Sequence, residues 1–132
     1  MLDTNVLVSG LLNSFGPPGR ILDLVSVGGF SVAHDDRVLG EWREVLRREK
    51  FGFPSRDVGT LLDFVESEGY RISAQALGAN LPDPDDTLFL EVAHEAGAVL
   101  ITVNLKHYPP EERPGVEVIE PAAFMERWLS ET

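Results

Sequence analysis

Apolar residues recur along the chain at two spacings, one typical of helices and one typical of buried strands. In 35–50 they stand at positions 38, 39, 42, 45 and 46, a spacing of three to four that predicts a helix. Prolines and glycines at segment ends support further helices, since proline opens and glycine closes such elements. These helices are predicted over 3–13, 17–29, 55–69, 84–97 and 121–130.

Short apolar runs between the helical segments predict buried strands. They lie at 30–34, 70–73, 98–102 and 116–119. A further, very short strand is expected before the first helix, since only Met1 and Leu2 precede Asp3. Strands that alternate with helices favour a parallel sheet with helices on both faces, so the predicted fold class is α/β.

The bulk composition narrows the class of protein. A chain of 132 residues, 43% of them hydrophobic, can bury one core, so a single domain over residues 1–132 is expected. The absence of cysteine excludes disulfides, zinc–cysteine clusters and thiol nucleophiles, so any metal must be held by oxygen or imidazole. No apolar run reaches membrane-spanning length and no signal peptide is recognisable, which favours a cytoplasmic location.

The net charge of -11 argues against a broad positive surface for binding phosphate backbones. Such acidity favours cations or a basic protein partner instead. One basic cluster allows two interpretations, an RNA contact or a solvated helix face balanced by acids. It consists of Arg43, Arg47, Arg48 and Lys50, with Glu44 and Glu49 beside them.

The segment DPDD at 83–86 places three aspartates in four positions before an apolar run. In one interpretation Asp83 caps a helix, proline follows, and the next two acids face the positive helix end. In the other, the segment is half of a metal site. Asp86 stands three residues before Phe89, on the apolar side of the helix, whereas Asp85 is better placed for solvent.

Glu41 interrupts an apolar helix face, because it stands three residues after Val38 and four before Val45. A buried carboxylate needs a partner. The alternative is a position at the rim, where the head group reaches water or meets an arginine.

Two further polar residues follow predicted strands. Asp3 comes directly after the short first strand, and Asn104 lies just past the strand at 98–102. Ligands gather at the carboxyl ends of parallel strands, so Asp3, Asp86 and Asn104 are expected to converge, with Glu41 arriving from a helix. Crowded carboxylates repel one another unless a cation is present, and oxygen ligands suit Mg2+ or Mn2+.

The remaining histidines and tryptophans are assigned structural roles. His34, His94 and His107 share no metal-ligand spacing, so they are predicted to be structural or exposed. Trp42 and Trp128 fall on apolar helix faces and are predicted to pack in the core or at a dimer contact.

With these positions assembled, the sequence resembles the PIN-domain ribonucleases, and within them the VapC-related toxins of toxin–antitoxin pairs. The likeness covers essentially the whole chain. It rests on stretches that stand in the family's order and approximate spacing: DTNVLVSGLL, the glutamate in LGEWREVL, DPDDTLFLEVA, and LITVNLKHYP followed by VEVIEP.

The resemblance implies a three-layer α/β/α domain with a central parallel sheet and an acidic cluster that binds one or two Mg2+ or Mn2+ ions. The family's acidic positions correspond to Asp3, Glu41 and Asp86, while its fourth position, often an aspartate, is Asn104 here. Asp83 matches an additional aspartate that is frequent in this branch. The polar residues that orient the cluster correspond to Asn5 and Thr102.

The implied reaction is the attack of metal-activated water on an RNA phosphodiester. Asp3 and Asp86 are the implied principal ligands, Glu41 binds the metal directly or through water, and Asn104 holds a metal-bound water. The family also implies a homodimer or higher oligomer. The strong negative charge suggests a basic antitoxin as a protein partner.

Other functions remain open to different degrees. Asn104 lowers the charge of the site, which allows a catalytically weak PIN-like module that acts by binding protein or RNA. A haloacid-dehalogenase-type phosphatase needs an aspartate where Asn5 stands. A receiver domain needs an acid pair after the first strand, which this chain lacks.

Overall fold

The computed structural model describes residues 1–131 and contains the six helices that the sequence predicts. They are α1 (Thr4–Leu12), α2 (Pro17–Ser26), α3 (Asp36–Leu46), α4 (Ser55–Glu68), α5 (Thr87–Ala96) and α6 (Pro121–Ser130). Short 3-10 turns lie between them at Glu49–Phe51, Pro84–Asp86, Leu105–His107 and Pro110–Glu112. Two of these turns carry residues of the site described below.

Local sequence explains where several helices begin and end. α2 begins at Pro17, whose fixed φ suits a first helical residue. α3 begins after Asp35, whose Oδ1 accepts a hydrogen bond from the backbone N–H of Val38 at 2.9 Å. α5 ends before Gly97, which has a φ of 62° that glycine adopts without strain.

The strands are shorter than predicted and form two parallel pairs within residues 1–131. β1 (Ala33–His34) pairs with β2 (Tyr70–Arg71), and β3 (Leu100–Ile101) pairs with β4 (Val118–Ile119). On the other side of β3, Leu2 forms a parallel bridge with Ile101. The apolar runs in the sequence mark burial, and only part of each run also makes ladder hydrogen bonds. The fold is α/β, as predicted.

The core is built from all six helices and the strand pairs. Trp42 is fully buried, and Trp128 packs edge-on against Phe30, with ring centroids 5.7 Å apart. His34 is fully buried and His94 is exposed, in agreement with the sequence prediction. No helix in residues 1–131 combines the length and apolar character that a membrane crossing requires.

The ends of several helices and strands meet at one edge of this fold. Residues 1–3 run beside β3, so the start of α1 lies close to the carboxyl end of that strand. α3 packs on both α1 and α5, which brings its polar residues toward the same edge. The carboxyl end of β3 and the beginning of α5 therefore frame one site.

Candidate metal centre

Asp3 lies at the carboxyl end of the bridge that Leu2 makes with Ile101, and its backbone N–H donates to the Ile101 carbonyl at 3.0 Å. Its carboxylate is buried, with Oδ2 accepting hydrogen bonds from Tyr108 Oη at 2.8 Å and Thr102 Oγ1 at 3.0 Å. Burial raises the pKa of Asp3, while both hydrogen bonds oppose that rise. The side chain is thus held in place by two neutral donors.

Thr102 connects the polar residues around Asp3. Its Oγ1 donates to Asp3 and accepts hydrogen bonds from Asn5 Nδ2 at 3.2 Å and from the Asn104 backbone N–H at 3.1 Å. Asn5 Oδ1 in turn accepts from the Val103 N–H at 3.2 Å. Asn5 and Thr102 therefore stand where the sequence resemblance puts them, and their role in orienting a metal cluster stays a prediction.

A second group of ligand atoms belongs to Asp83, Asp86 and His107, one from each residue and all within 4.8 Å of one another. Asp86 is buried, and its Oδ2 lies 2.9 Å from His107 Nδ1. Asp83 Oδ1 accepts a hydrogen bond from the Asp85 backbone N–H at 3.0 Å, so it caps the 3-10 turn that opens α5. The capping interpretation of Asp83 is confirmed, and because the same residue belongs to the cluster, the metal-site interpretation stays a prediction.

His107 is a site residue that the sequence interpretation missed, since it was assigned a structural or exposed role. Its Nε2 lies 2.9 Å from Asn104 Nδ2, so the imidazole links Asn104 to Asp86. The signal is local: Asn104 and His107 are three residues apart around a 3-10 turn, where such side chains eclipse. A search for spacings between histidines cannot detect a histidine that pairs with an amide.

Tyr108 is the second residue that the sequence interpretation missed. Its ring is fully buried and its hydroxyl donates to Asp3. Burial, followed by the charges of Asp3 and Asp86, raises its pKa, so the hydroxyl keeps its proton. Nothing in the sequence distinguishes this tyrosine from one that only fills the core.

Glu41 stands beside the cluster rather than inside it. It is half-buried on α3 and makes no ion pair with any described residue. Burial and then the neighbouring Glu44 raise its pKa, with smaller contributions from Asp85 and Asp3 and an opposing one from Arg48. Its carboxylate therefore adds negative potential to the rim of the site.

The electrostatic balance of the cluster is unfavourable without a cation. Burial, followed by the charges of Asp3 and Asp83, raises the pKa of Asp86 to about 6, and His107 only partly opposes this. Across residues 1–131 no lysine or arginine forms a salt bridge with any of these three aspartates. Carboxylate oxygens are donors that divalent cations accept, so the aspartates present fit a divalent metal ion.

Comparison with known proteins agrees with this arrangement. The family model of the PIN domain matches residues 1–106, which include all the acidic residues of the site and Asn104 but end before His107 and Tyr108. Searches of curated proteins and of solved structures gave no match. Since the match covers most of the sequence and takes in both the first residues and the β3 edge, the chain belongs to the PIN-domain family.

Proposed function

We propose that this protein is a metal-dependent endoribonuclease that hydrolyses phosphodiester bonds in RNA. PIN domains are generally nucleases, which supports a hydrolase acting on nucleic acid. The observation that carries the proposal is the group of buried carboxylates that no lysine or arginine of residues 1–131 neutralises. Buried acids are normally paired, so this group is suited to a bound cation.

Mg2+ or Mn2+ is the cation that this set of oxygen ligands suits best. When bound, such an ion supplies positive charge to the phosphate oxygens and lowers the pKa of a bound water. Asp3 and Asp86 would be the principal ligands, and Asp83 would complete the set. Glu41, at the rim, would bind the ion directly or through a water molecule.

The other polar residues hold these carboxylates in one orientation. Tyr108 and Thr102 both donate to Asp3 Oδ2, which favours its ionised form. Asn104 Nδ2 can only donate, so His107 Nε2 accepts, and the ring proton resides on Nδ1, where it donates to Asp86. Asn104 would therefore orient Asp86 through His107, and it would also hold a water at the site.

Finer features of the proposal follow from the resemblance and the charge. We infer a three-layer α/β/α architecture in which the two strand pairs belong to one central sheet. The protein would be a VapC-type toxin, homodimeric and cytoplasmic, with a basic antitoxin that binds its acidic surface. The net charge of -11 and the carboxylate cluster support this partner. Co-purification with a small basic protein encoded beside it would test the pairing.

A second candidate function is a PIN-like binding module with weak catalysis. The observation that favours it is Asn104, whose amide replaces a carboxylate and is already engaged by His107. A site with less negative charge binds a second cation less tightly. This alternative predicts weak or absent Mn2+ binding together with normal RNA binding.

One experiment separates the two functions. Isothermal titration with Mn2+ and cleavage of labelled RNA would be measured for the parent and for Asp3→Ala and Asp86→Ala. We expect the parent to bind Mn2+ and cleave RNA, and both variants to lose both properties. Cleavage that is unchanged in the two variants rules out the proposed nuclease site, and metal-free RNA binding supports the alternative.

A further inference from the structure

The end of α3 carries a concentration of positive charge that the proposed catalytic site does not use. Five of the 11 lysines and arginines of the chain lie between positions 43 and 56. We use the name basic–aromatic patch for Arg47, Arg48, Lys50, Phe51 and Phe53. In a protein with a net charge of -11, a nucleic acid can approach only where such positive charge is gathered.

Two cations of the patch are available for a ligand. Arg48 is paired with Glu44, with Nη2 2.7 Å from Oε2. Arg47 and Lys50 are exposed, and among residues 1–131 neither forms an ion pair. A phosphate group that binds them therefore displaces no carboxylate.

The two phenylalanines form a flat platform next to these cations. Their rings are stacked, with centroids 5.4 Å apart and an angle of 10° between planes. Gly52 separates them with a φ of 66°, a left-handed conformation that suits glycine and reverses the chain between the two rings. Phe53 packs against the core, whereas Phe51 does not, within the described residues.

The Phe51 ring stacks on Phe53, and its side chain is half-buried. The ammonium of Lys50 lies over a face of the ring, 5.0 Å from the centroid. A lysine side chain is flexible, so a ligand can readily displace its ammonium from the ring. A nucleobase can stack on that face while the ammonium moves to an adjacent phosphate, the combination found on single-stranded nucleic-acid platforms.

The patch is continuous with the proposed catalytic site through α3. Glu41 lies on α3, and Arg48 follows two residues after that helix ends at Leu46. Arg48 is also near enough to lower the pKa of Glu41. A strand that leaves the carboxylate cluster past Glu41 therefore approaches the charge of Arg48, which belongs to the patch.

We propose that the basic–aromatic patch binds single-stranded RNA, with an unpaired base on the Phe51 ring face that Lys50 covers and phosphates at Arg47 and Lys50. The choice of RNA rests on the proposed nuclease function, and binding at the patch is independent of cleavage. An acidic peptide would use the same cations but would gain nothing from the aromatic face. The ring face thus distinguishes the two ligand classes.

The test measures fluorescence anisotropy of a labelled single-stranded RNA of mixed sequence, in the full chain carrying Asp86→Asn so that cleavage does not interfere. Phe51→Leu keeps an apolar side chain but removes the ring, and we expect affinity about 5-fold to 50-fold weaker. Arg47→Gln combined with Lys50→Gln should weaken binding and reduce the salt dependence by roughly 1 in the slope of log K against log salt. Arg20→Gln is the matched control, because Arg20 is exposed on α2 and makes no ion pair with any described residue.

Each outcome decides the proposal. Equal affinity of Phe51→Leu and its parent, with both folded by thermal unfolding, overturns it. An equal loss in Arg20→Gln also overturns it, since binding would then follow total charge. Polyglutamate that competes as well as unlabelled RNA of the same length indicates an acidic peptide instead. Cleavage unaffected by Asp86→Ala would remove the proposed nuclease site and leave this binding result intact.

Discussion

Two groups of buried carboxylates occupy this molecule, and they differ in what balances their charge. Asp35 and Glu91, 8% and 5% exposed, share the guanidinium of Arg37. Asp3 and Asp86, 3% and 8% exposed, have no arginine or lysine partner in residues 1–131. The two groups are therefore equally buried, but only the first has a positively charged partner.

The arginine-balanced group is complete as it stands. Arg37 Nη1 lies 2.8 Å from Glu91 Oε1 and its Nη2 lies 2.9 Å from Asp35 Oδ2. The other oxygen of Glu91 accepts the Leu77 N–H at 3.0 Å, so it ties the segment after β2 to α5. With every charge paired and hydrogen-bonded, this group stabilises the fold and has no need of a ligand.

The unbalanced group has the properties expected of a binding site. Hydroxyl and imidazole groups form hydrogen bonds with its carboxylates and fix their orientation. Burial and mutual repulsion raise the pKa of Asp86 to about 6. The contrast teaches that a missing counter-charge, rather than the number of acids, marks the candidate site, because functional sites are where perturbed carboxylates gather.

The largest expected effect comes from removing charge at the unbalanced group. Asp86→Asn should lower RNA cleavage about 100-fold or more, since a ligand is lost. The same change should raise the stability of the metal-free protein at pH 7, because repulsion with Asp3 and Asp83 is relieved. Cleavage rates and urea unfolding measure the two effects, and a variant that is both active and destabilised contradicts the comparison.

The next effect comes from removing the counter-charge of the balanced group. Arg37→Met should destabilise the fold by about 2 kcal/mol, since two buried carboxylates lose their positive partner. The arginine itself is half-exposed, so its removal costs little buried surface. Mn2+ affinity at the other group should not change. Arg127→Met is the control, because its partner Glu117 is exposed and the surface pair contributes little. Equal destabilisation in both variants would show that Arg37 is an ordinary surface residue.

A smaller effect is expected from pH. The pKa of Asp86 in the folded protein, about 6, lies above its ordinary value, so the folded state binds the proton more tightly. This contribution is fully present below the ordinary pKa and is lost as pH rises through 6. Metal-free protein should therefore gain about 1 kcal/mol from this group between pH 7 and pH 5. Urea unfolding at pH 7 and pH 5 measures this gain in stability. We expect Asp86→Asn to lose it. A pH dependence of stability that is the same in Asp86→Asn as in the parent would count against assigning the gain to Asp86.

The smallest effect is expected at the residue that joins Asn104 to Asp86. His107→Gln keeps a polar side chain but removes the imidazole, so Mn2+ affinity should fall about 10-fold with the fold intact. His94→Gln, at an exposed histidine on α5, is the matched control. Calorimetry that gives the same affinity for both variants would make His107 a bystander.

The sequence predicted the helices and the proximity of Asp3 to Asn104, and for identifiable reasons. The apolar spacing that runs through Val38, Trp42 and Val45 marks α3, because period reports which face is buried. Asp3 and Asn104 were expected to lie close together because both follow strands. Both form hydrogen bonds with the Thr102 hydroxyl. These inferences need only local patterns and the direction of parallel strands.

The parts that escaped prediction depend on contacts between distant segments. His107 reaches Asp86 across 21 positions, and Tyr108 reaches Asp3 across 105. The pairing of Arg37 with Glu91 is of the same kind, and it decides which buried acids are neutralised. Strand length also escaped, because apolar runs record burial and not the hydrogen bonds that define a ladder.

The most direct test is the thermal unfolding of the parent, Asp86→Asn and Arg37→Met at pH 7 with and without millimolar Mn2+. A ligand that binds only the folded state raises the unfolding temperature, and the stabilisation grows with the logarithm of its concentration relative to its Kd. We predict a clear rise for the parent and for Arg37→Met, and none for Asp86→Asn. An equal rise in all three proteins, or no rise in the parent, would contradict the claim that the unpaired carboxylates form a cation site.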